Sequence, residues 1–139
     1  MVFCRKDDLS CRAAFSGCKA LIINDFFIFC QKLIIIAGGS DKGISFAPLA
    51  PELIAHVKTL ILTGATADKI EAAVRADEGF AESGLVILRA KDMEEAVHLA
   101  DQTAKEGDIV SLSPACASFD CYPNFEARGR HYKQLVNAL

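Results

Sequence analysis

Several patterns that would assign a small protein to a functional class are missing from this 139-residue sequence. None of its six cysteines forms a Cys-x-x-Cys pair, which structural zinc sites usually need. Its formal net charge is -3, whereas a nucleic-acid surface needs a basic excess. It has no Gly-x-x-x-x-Gly-Lys-Ser/Thr loop, the usual cradle of a triphosphate. We therefore expect no metal site, no nucleic-acid partner, and free thiols in a reducing compartment.

A long, uninterrupted apolar run is also missing. Residues 20–37 are strongly apolar, but charged residues such as Asp25 and Lys32 interrupt them, and a spanning helix needs about 20 nearly uncharged residues. The basic residues ahead of this run leave a signal anchor as the alternative. Its last part, residues 33–37, is better explained as a buried strand. A membrane role is therefore not expected, and the chain is predicted to be cytoplasmic.

Apolar runs of strand length alternate in this chain with amphipathic runs of helix length. The strands are predicted at Lys32–Ala37, Lys58–Thr63, Leu85–Leu88 and Ile109–Leu112, and the helices at Phe46–Lys58, Ala67–Ala76, Asp92–Ala104 and Pro123–Ala138. Such alternation predicts an α/β fold: a three-layer, Rossmann-like domain with a mostly parallel sheet and helices on both faces. The size is that of one domain.

The ends of these elements carry their own signals. Thr66 is predicted to cap the helix that follows it, and Asp92 to open a capping box with Glu95. Residues 1–17 show no clear period and fit a solvated terminus. Arg128, near the start of the last helix, is expected to form an ion pair or a cap.

A glycine-rich loop, Gly38–Gly43, follows the first predicted strand. Its glycines permit a tight turn and a close approach by a ligand. Lys42 is a mobile point charge suited to a phosphate or a carboxylate. The residues alone leave an ordinary exposed turn as the alternative, because aspartate and glycine are common in turns.

A second small-residue loop, Ser113–Ser118, follows the last predicted strand and precedes a helix. Free N–H groups at such a junction form an anion site, and Ser118 adds a hydroxyl. The alternative is that Ser118 caps a helix and Phe125 packs. Cys116 has no nearby histidine in the sequence to activate it, so a small buried thiol is expected rather than a nucleophile.

The two loops carry a resemblance to a known family. The run LSPACASFD at 112–120, followed by NFEARG at 124–129, resembles the C-terminal signature of the bacterial Mur ligases, most closely of those that add D-glutamate. The run IIIAGGSDKG at 34–43 agrees with it. The similarity extends from Leu33 to Leu139, which we take as the domain, and leaves residues 1–32 as an unmatched leader.

The resemblance implies a C-terminal domain of an ATP-dependent, amide-forming ligase of peptidoglycan and cell-wall synthesis. That ligase joins D-glutamate to UDP-N-acetylmuramoyl-L-alanine, and this domain positions D-glutamate and closes over ATP. It implies that Lys42, Ser118 and Phe125 bind substrate and that Asp41 and Lys42 contact the nucleotide. No catalytic residue is implied.

ATP and magnesium are implied as cofactors of the parent ligase, whose central and N-terminal domains would be partners. Because no triphosphate loop is present, the chain alone is predicted to be inactive. The rival hypothesis is a stand-alone or degenerate α/β module that binds a nucleotide or an acidic ligand without catalysis.

Overall fold

The computed structural model describes residues 2–5, 33–106 and 108–139 of the chain. Five strands and five α-helices follow one another along these residues. In chain order they are β1 (Val2–Arg5), β2 (Leu33–Gly38), α1 (Ala50–His56), β3 (Val57–Thr63), α2 (Ala67–Ala76), α3 (Phe80–Ser83), β4 (Val86–Arg89), α4 (Met93–Thr103), β5 (Ile109–Leu112) and α5 (Phe125–Asn137).

The strands form one sheet in the order β1-β5-β2-β3-β4. Strands β5, β2, β3 and β4 are mutually parallel, which confirms the predicted mostly parallel α/β fold. Strand β1 lies antiparallel to β5, with Val2 opposite Leu112 and Arg5 opposite Ile109. Residues 2–5 thus form an edge strand, which the absence of a clear period in residues 1–17 did not predict.

Both faces of the sheet are covered. Along β2, Leu33 and Ile35 point into one apolar cluster and Ile34 and Ile36 into the other. The first cluster contains side chains of α1 and α2, and the second contains side chains of α4 and α5. Burial of each such isoleucine or leucine contributes about 1.5–3 kcal/mol. The continuous branched runs of β2 and β3 fit a sheet that is buried on both faces.

Some helices and strands begin or end at other residues than the sequence predicted, because tertiary contacts set those boundaries. Helix α1 ends at His56 and not at Lys58, because Val57 joins the β3 ladder opposite Leu33. A single 3-10 turn, Ala47–Leu49, precedes it and accommodates Pro48. The short helix α3 carries no periodic signal and was not predicted.

Helix α4 begins as predicted. Its N-cap Asp92 accepts a hydrogen bond from the Glu95 N–H at 2.8 Å. The return bond of the predicted capping box goes elsewhere, because the Glu95 carboxylate accepts the N–H of Lys91 at 2.7 Å. The first turn of α4 is thus closed by two side-chain acceptors.

In the part of the chain that the structure describes, no helix is long and apolar enough to cross a membrane. The predicted strand at the end of the apolar run is confirmed as β2. The rest of that run, residues 20–32, and the four cysteines ahead of residue 33 lie outside the described side chains.

Candidate functional site

The loops that follow β2, β3 and β5 meet at the carboxyl edge of the sheet. The Gly38 N–H donates to the Pro114 carbonyl at 2.8 Å, and the Ser40 N–H donates to the Ala117 carbonyl at 3.0 Å. Ser40 and Ala117 thereby form an isolated antiparallel bridge. The sequence prediction that both motif loops line one edge is confirmed, and this is the edge at which parallel α/β sheets bind ligands.

Two glycines make this close approach possible. A Cβ on Gly38 would lie 1.8 Å from the Thr63 carbonyl oxygen, and one on Gly39 would lie 2.2 Å from the Ala117 carbonyl oxygen. Their φ angles are +116° and +149°, which side-chain-bearing residues rarely adopt. Any larger residue would therefore push the β2 loop away from its two neighbours.

Thr66 joins all three loops. Its side chain is fully buried, and its Oγ1 accepts the Gly39 N–H at 3.1 Å. The same oxygen lies 3.1 Å from the Gly39 carbonyl oxygen and 3.1 Å from the Cys116 Sγ. The predicted capping bond to α2 is absent from the described contacts of Thr66, because the hydroxyl turns inward to Gly39.

Arg128 holds the β5 loop from the opposite side. Its guanidinium donates to the Ala117 carbonyl at 3.2 Å and to the Cys116 carbonyl at 3.1 Å, and the residue is only 9% exposed. Burial lowers the pKa of Arg128, while the nearby Asp120 charge opposes that shift. Neither the expected cap nor a close carboxylate pair is found for it among the described residues. Its partners are carbonyls, which leave no mark in a sequence.

A cavity of about 440 Å³ lies between the β2 and β5 loops. We call it the Lys42 cavity. It is lined by Ser40, Lys42, Ile44, Phe46 and Ala115–Ala117. Its volume lies within the range of about 300–1,000 Å³ typical of small-ligand sites. The lysine side chain is exposed, so its ammonium is accessible to an anion.

Asp41 precedes that lysine and anchors its loop. The Asp41 carboxylate forms an ion pair with Lys69 of α2 and accepts the Gly43 N–H at 2.8 Å. The hydrogen bond from Lys69 is the main cause that holds the pKa of Asp41 below its ordinary value. A carboxylate offers about four acceptor positions, so these two donors leave room for a ligand hydroxyl.

Ser118 and Phe125 lie further along the same edge. Ser118 is 2% exposed, and its carbonyl accepts the N–H groups of Cys121 and Tyr122 at 3.1 Å and 2.8 Å. It does not cap α5, because Asn124 does so by accepting the Ala127 N–H at 2.7 Å. Phe125 opens α5 with a side chain that is 72% exposed.

The Lys42 cavity does not include Ser118 or Phe125 among its described lining residues. The structure thus brings Lys42 beside Ala115–Ala117, directly ahead of Ser118, and leaves the serine hydroxyl buried. The exposure of the Phe125 side chain disagrees with the alternative that Phe125 merely packs. The backbone N–H of Phe125 belongs to the first turn of a 13-residue helix, where N–H groups have no partner within the helix.

A second cavity, of about 350 Å³, opens on the other side of the β2 loop between α4 and α5. Its polar lining includes Asp92, Asp120, Tyr122 and His131. The Tyr122 hydroxyl and the His131 Nδ1 lie 2.7 Å apart and form a hydrogen bond. Burial raises the pKa of Tyr122.

The same edge carries the thiol of Cys116. Cys116 was predicted to be a buried thiol, and the structure shows it only partly buried. Burial still raises its pKa, which disfavours a nucleophilic thiolate. Across residues 33–106 and 108–139, no group of three or more histidines, cysteines and acidic residues is arranged to hold a metal ion.

Comparison with known proteins agrees with this geometry. Residues 11–116 match the family model described as "Mur ligase, glutamate ligase domain". A UDP-N-acetylmuramoylalanine–D-glutamate ligase of Symbiobacterium thermophilum is 62% identical over 107 residues, which are 77% of this chain and 23% of that protein.

Ligases with the same name occur in two clostridia. That of Clostridium botulinum strain Hall is 49% identical, and that of Clostridium beijerinckii is 50% identical. Each alignment spans 111 residues, which are 80% of this chain and 24% of the relative. The chain thus spans about a quarter of the length of the curated relatives it matches.

Proposed function

Because this chain belongs to the Mur ligase family, through its glutamate ligase domain, we propose that it is the C-terminal domain of a D-glutamate-adding ligase of peptidoglycan synthesis. The observation that carries the proposal is the 62% identity to the Symbiobacterium thermophilum ligase over most of the chain. The sequence prediction set residues 33–139 as this domain and residues 1–32 as a leader. Because the family model matches from residue 11 and β1 pairs with β5, we extend the proposed domain ahead of Leu33, and we assign the chain to the cytoplasm. The other domains of the ligase would be its partners.

The proposed reaction joins the amine of D-glutamate to the carboxyl group of UDP-N-acetylmuramoyl-L-alanine at the expense of ATP. D-glutamate brings two carboxylates. We assign one of them to the Lys42 ammonium, because Lys42 lines the cavity between the β2 and β5 loops. The N–H of Phe125 at the start of α5 is a donor for the other, and a helix start favours an anion by about 0.3–1 kcal/mol.

Ser118 belongs to the same proposal as a third donor. Because its side chain is buried, a contact between its hydroxyl and a carboxylate requires a small shift of the turn after Ala117. Arg128 donates to the carbonyls of Cys116 and Ala117. The carbonyl of Ser118 accepts instead from N–H groups of its own turn. Closure of the parent ligase over its ligands is a suitable moment for that shift.

ATP is a ligand of the parent ligase. Lys42 is the candidate phosphate contact here, and Asp41 retains acceptor positions for a hydroxyl of the ribose. Since the sequence contains no triphosphate loop, the 139 residues alone are expected not to catalyse ligation. The domain would orient the amino acid and exclude water.

A chimeric ligase tests the proposal. Residues 33–139 replace the matching region of the Symbiobacterium thermophilum ligase, and D-glutamate-dependent release of phosphate is measured. Activity within about tenfold of the parent is expected, because 62% of the residues in the matched region are identical. The matched control is the parent ligase without that region.

A folded but inactive chimera would contradict the proposal. Binding of ADP or D-glutamate by the isolated 139-residue chain, together with that inactivity, would favour the stand-alone module instead. Isothermal titration of the chain with each ligand separates these outcomes.

A further inference from the structure

Gly39 lies between Gly38 and Ser40, which both hydrogen-bond to the β5 loop, and it packs closely against that loop. A Cβ there would lie 2.2 Å from the Ala117 carbonyl oxygen and 3.1 Å from the Cys116 Cβ. The next residue, Ser40, pairs with Ala117, and Lys42 follows two residues later. The orientation of the Gly39 peptide groups therefore sets the spacing between Lys42 and the loop that leads to Ser118.

One residue satisfies both peptide groups of Gly39. The Gly39 N–H donates to the Thr66 Oγ1 at 3.1 Å, and the Gly39 carbonyl accepts from the Thr66 hydroxyl and from the Thr66 N–H, each at 3.1 Å. A glycine at φ +149° has wide conformational freedom, so these bonds, together with the one from the Ser40 N–H to the Ala117 carbonyl, fix the peptides on both sides of Gly39.

The same hydroxyl reaches the third loop. The Thr66 Oγ1 lies 3.1 Å from the Cys116 Sγ. A hydroxyl offers one donor and two acceptor positions. These are filled when Thr66 donates to the Gly39 carbonyl and accepts from the Gly39 N–H and the Cys116 S–H. The hydroxyl of the fully buried Thr66 thus forms its hydrogen bonds with the two loops that line the Lys42 cavity.

We propose that Thr66 is a positioning residue that sets the separation of the Lys42 loop from the Ser118 loop and thereby the affinity for the amino-acid substrate. The proposal rests on the proposed function. Thr66 is not among the lining residues of the Lys42 cavity, so it acts through Gly39 and through the lining residue Cys116. A change of its hydroxyl should alter ligand affinity more than chemistry, because the donors are displaced rather than removed.

Thr66→Val tests the proposal, since valine keeps the branched shape and lacks the hydroxyl. In the chimeric ligase we expect the Michaelis constant for D-glutamate to rise about tenfold while that for ATP changes less than about twofold. Thr66→Ser retains the hydroxyl and should restore the D-glutamate value. The matched control is Thr59→Val, a buried threonine at the other end of β3.

The full 139-residue chain provides a second readout that does not depend on activity. Amide hydrogen exchange at Gly39 and Ser40, followed by NMR, should accelerate about tenfold in Thr66→Val and stay near the wild-type rate in Thr66→Ser and Thr59→Val. An inactive wild-type chimera refutes the proposed function, and this exchange measurement then decides the role of Thr66 alone.

Three outcomes overturn the proposal. One is an unchanged D-glutamate Michaelis constant in an active Thr66→Val chimera. Another is unchanged exchange at Gly39 and Ser40 in the full chain. If Thr66→Val does not fold, Thr66→Ala takes its place, because alanine adds no bulk. The third outcome is that both variants fail to fold while Thr59→Val folds. The hydroxyl would then be required for folding, and the proposal that it sets the spacing of the two loops would fall.

Discussion

The Nη1 of Arg128 lies 3.2 Å from the carbonyl oxygen of Ala117 and thereby ties the first turns of α5 to the loop that follows β5. The second nitrogen reaches the Cys116 carbonyl at 3.1 Å. A buried cation that is solvated by two main-chain carbonyls fixes that loop without a carboxylate partner. The loop in turn carries one wall of the Lys42 cavity.

Replacement of this arginine should therefore destabilise the domain. Arg128→Met keeps much of the volume but removes the donor to the Cys116 carbonyl and one of the two donors to the Ala117 carbonyl, which keeps the Ser40 N–H. We therefore expect the free energy of unfolding to fall by about 2 kcal/mol. Urea denaturation measures it. Arg130→Met, at an exposed position of the same helix, is the control and should change the value by less than about 0.5 kcal/mol. Equal losses in the two variants would contradict the role of Arg128.

The contact at Gly39 should tolerate no side chain. Gly39→Ala places a Cβ 2.2 Å from the Ala117 carbonyl oxygen in a backbone conformation with φ +149°, so a loss of about 3 kcal/mol or more is expected. Gly43→Ala also has a positive φ, +71°, but its Cβ meets no atom within 4 Å. It should lose only about 1 kcal/mol. Thermal and urea unfolding of the pair separate collision from backbone strain.

Acid should weaken the ion pair between Lys58 and Asp108 at the amino end of the sheet. Burial raises the pKa of Asp108, but the bonds from Lys58 and from the Lys105 N–H outweigh burial and leave that pKa below its ordinary value. The folded state therefore binds fewer protons than the unfolded state, whose aspartate titrates near about 3.9. The stabilisation is complete above that value and is lost as the pH falls through the folded pKa.

Asp108→Asn should accordingly flatten the dependence of the free energy of unfolding on pH between about pH 5 and about pH 2. Urea midpoints at several pH values measure that slope. The slope should not vanish, because the pKa values of two other carboxyl groups are also lowered. The pKa of Glu71 is lowered chiefly by its hydrogen bond from Arg75, and that of Asp41 is lowered as described above. Identical slopes in the variant and the wild type would show that Asp108 contributes nothing in acid.

Removal of the Ser118 hydroxyl should weaken the use of D-glutamate. In the chimeric ligase, Ser118→Ala is expected to raise the D-glutamate Michaelis constant about tenfold, which corresponds to one hydrogen bond to a charged group. The value for ATP should stay within about twofold. Ser113→Ala on the same loop is the control. An unchanged D-glutamate value would remove Ser118 from the proposed site.

The sheet followed from the sequence because its signals are local. Ile109–Leu112 is a strand over the predicted residues, and Ala67–Ala76 is a helix over the predicted residues. Branched apolar runs and amphipathic periods are properties of consecutive residues, and the topology rules for parallel sheets then place the loops. The edge strand Val2–Arg5 escaped detection because four residues that gain order only by pairing with β5 have no period of their own.

The hydrogen bonds of Thr66 and Arg128 at the site could not be predicted from the sequence, because they join residues that are far apart along the chain. Thr66 was expected to cap the helix that follows it, yet its hydroxyl bonds Gly39, 27 residues earlier. Arg128 was expected to meet a carboxylate or a helix end, and it donates to carbonyls 11 and 12 residues away. Main-chain acceptors belong to every residue type, so no pattern of side chains announces them.

The opposite direction of β1 has a practical consequence for protein engineering. Val2 lies beside Leu112, at the edge of the sheet where the loops meet, whereas Arg5 lies beside Ile109 at the far edge. An affinity tag or a surface tether attached just before Val2 therefore begins at the edge of the sheet that carries the loops after β2 and β5. Attachment after α5 begins at the far end of a 13-residue helix, roughly 20 Å from the first turn of that helix. Immobilisation for ligand-binding measurements belongs at Leu139.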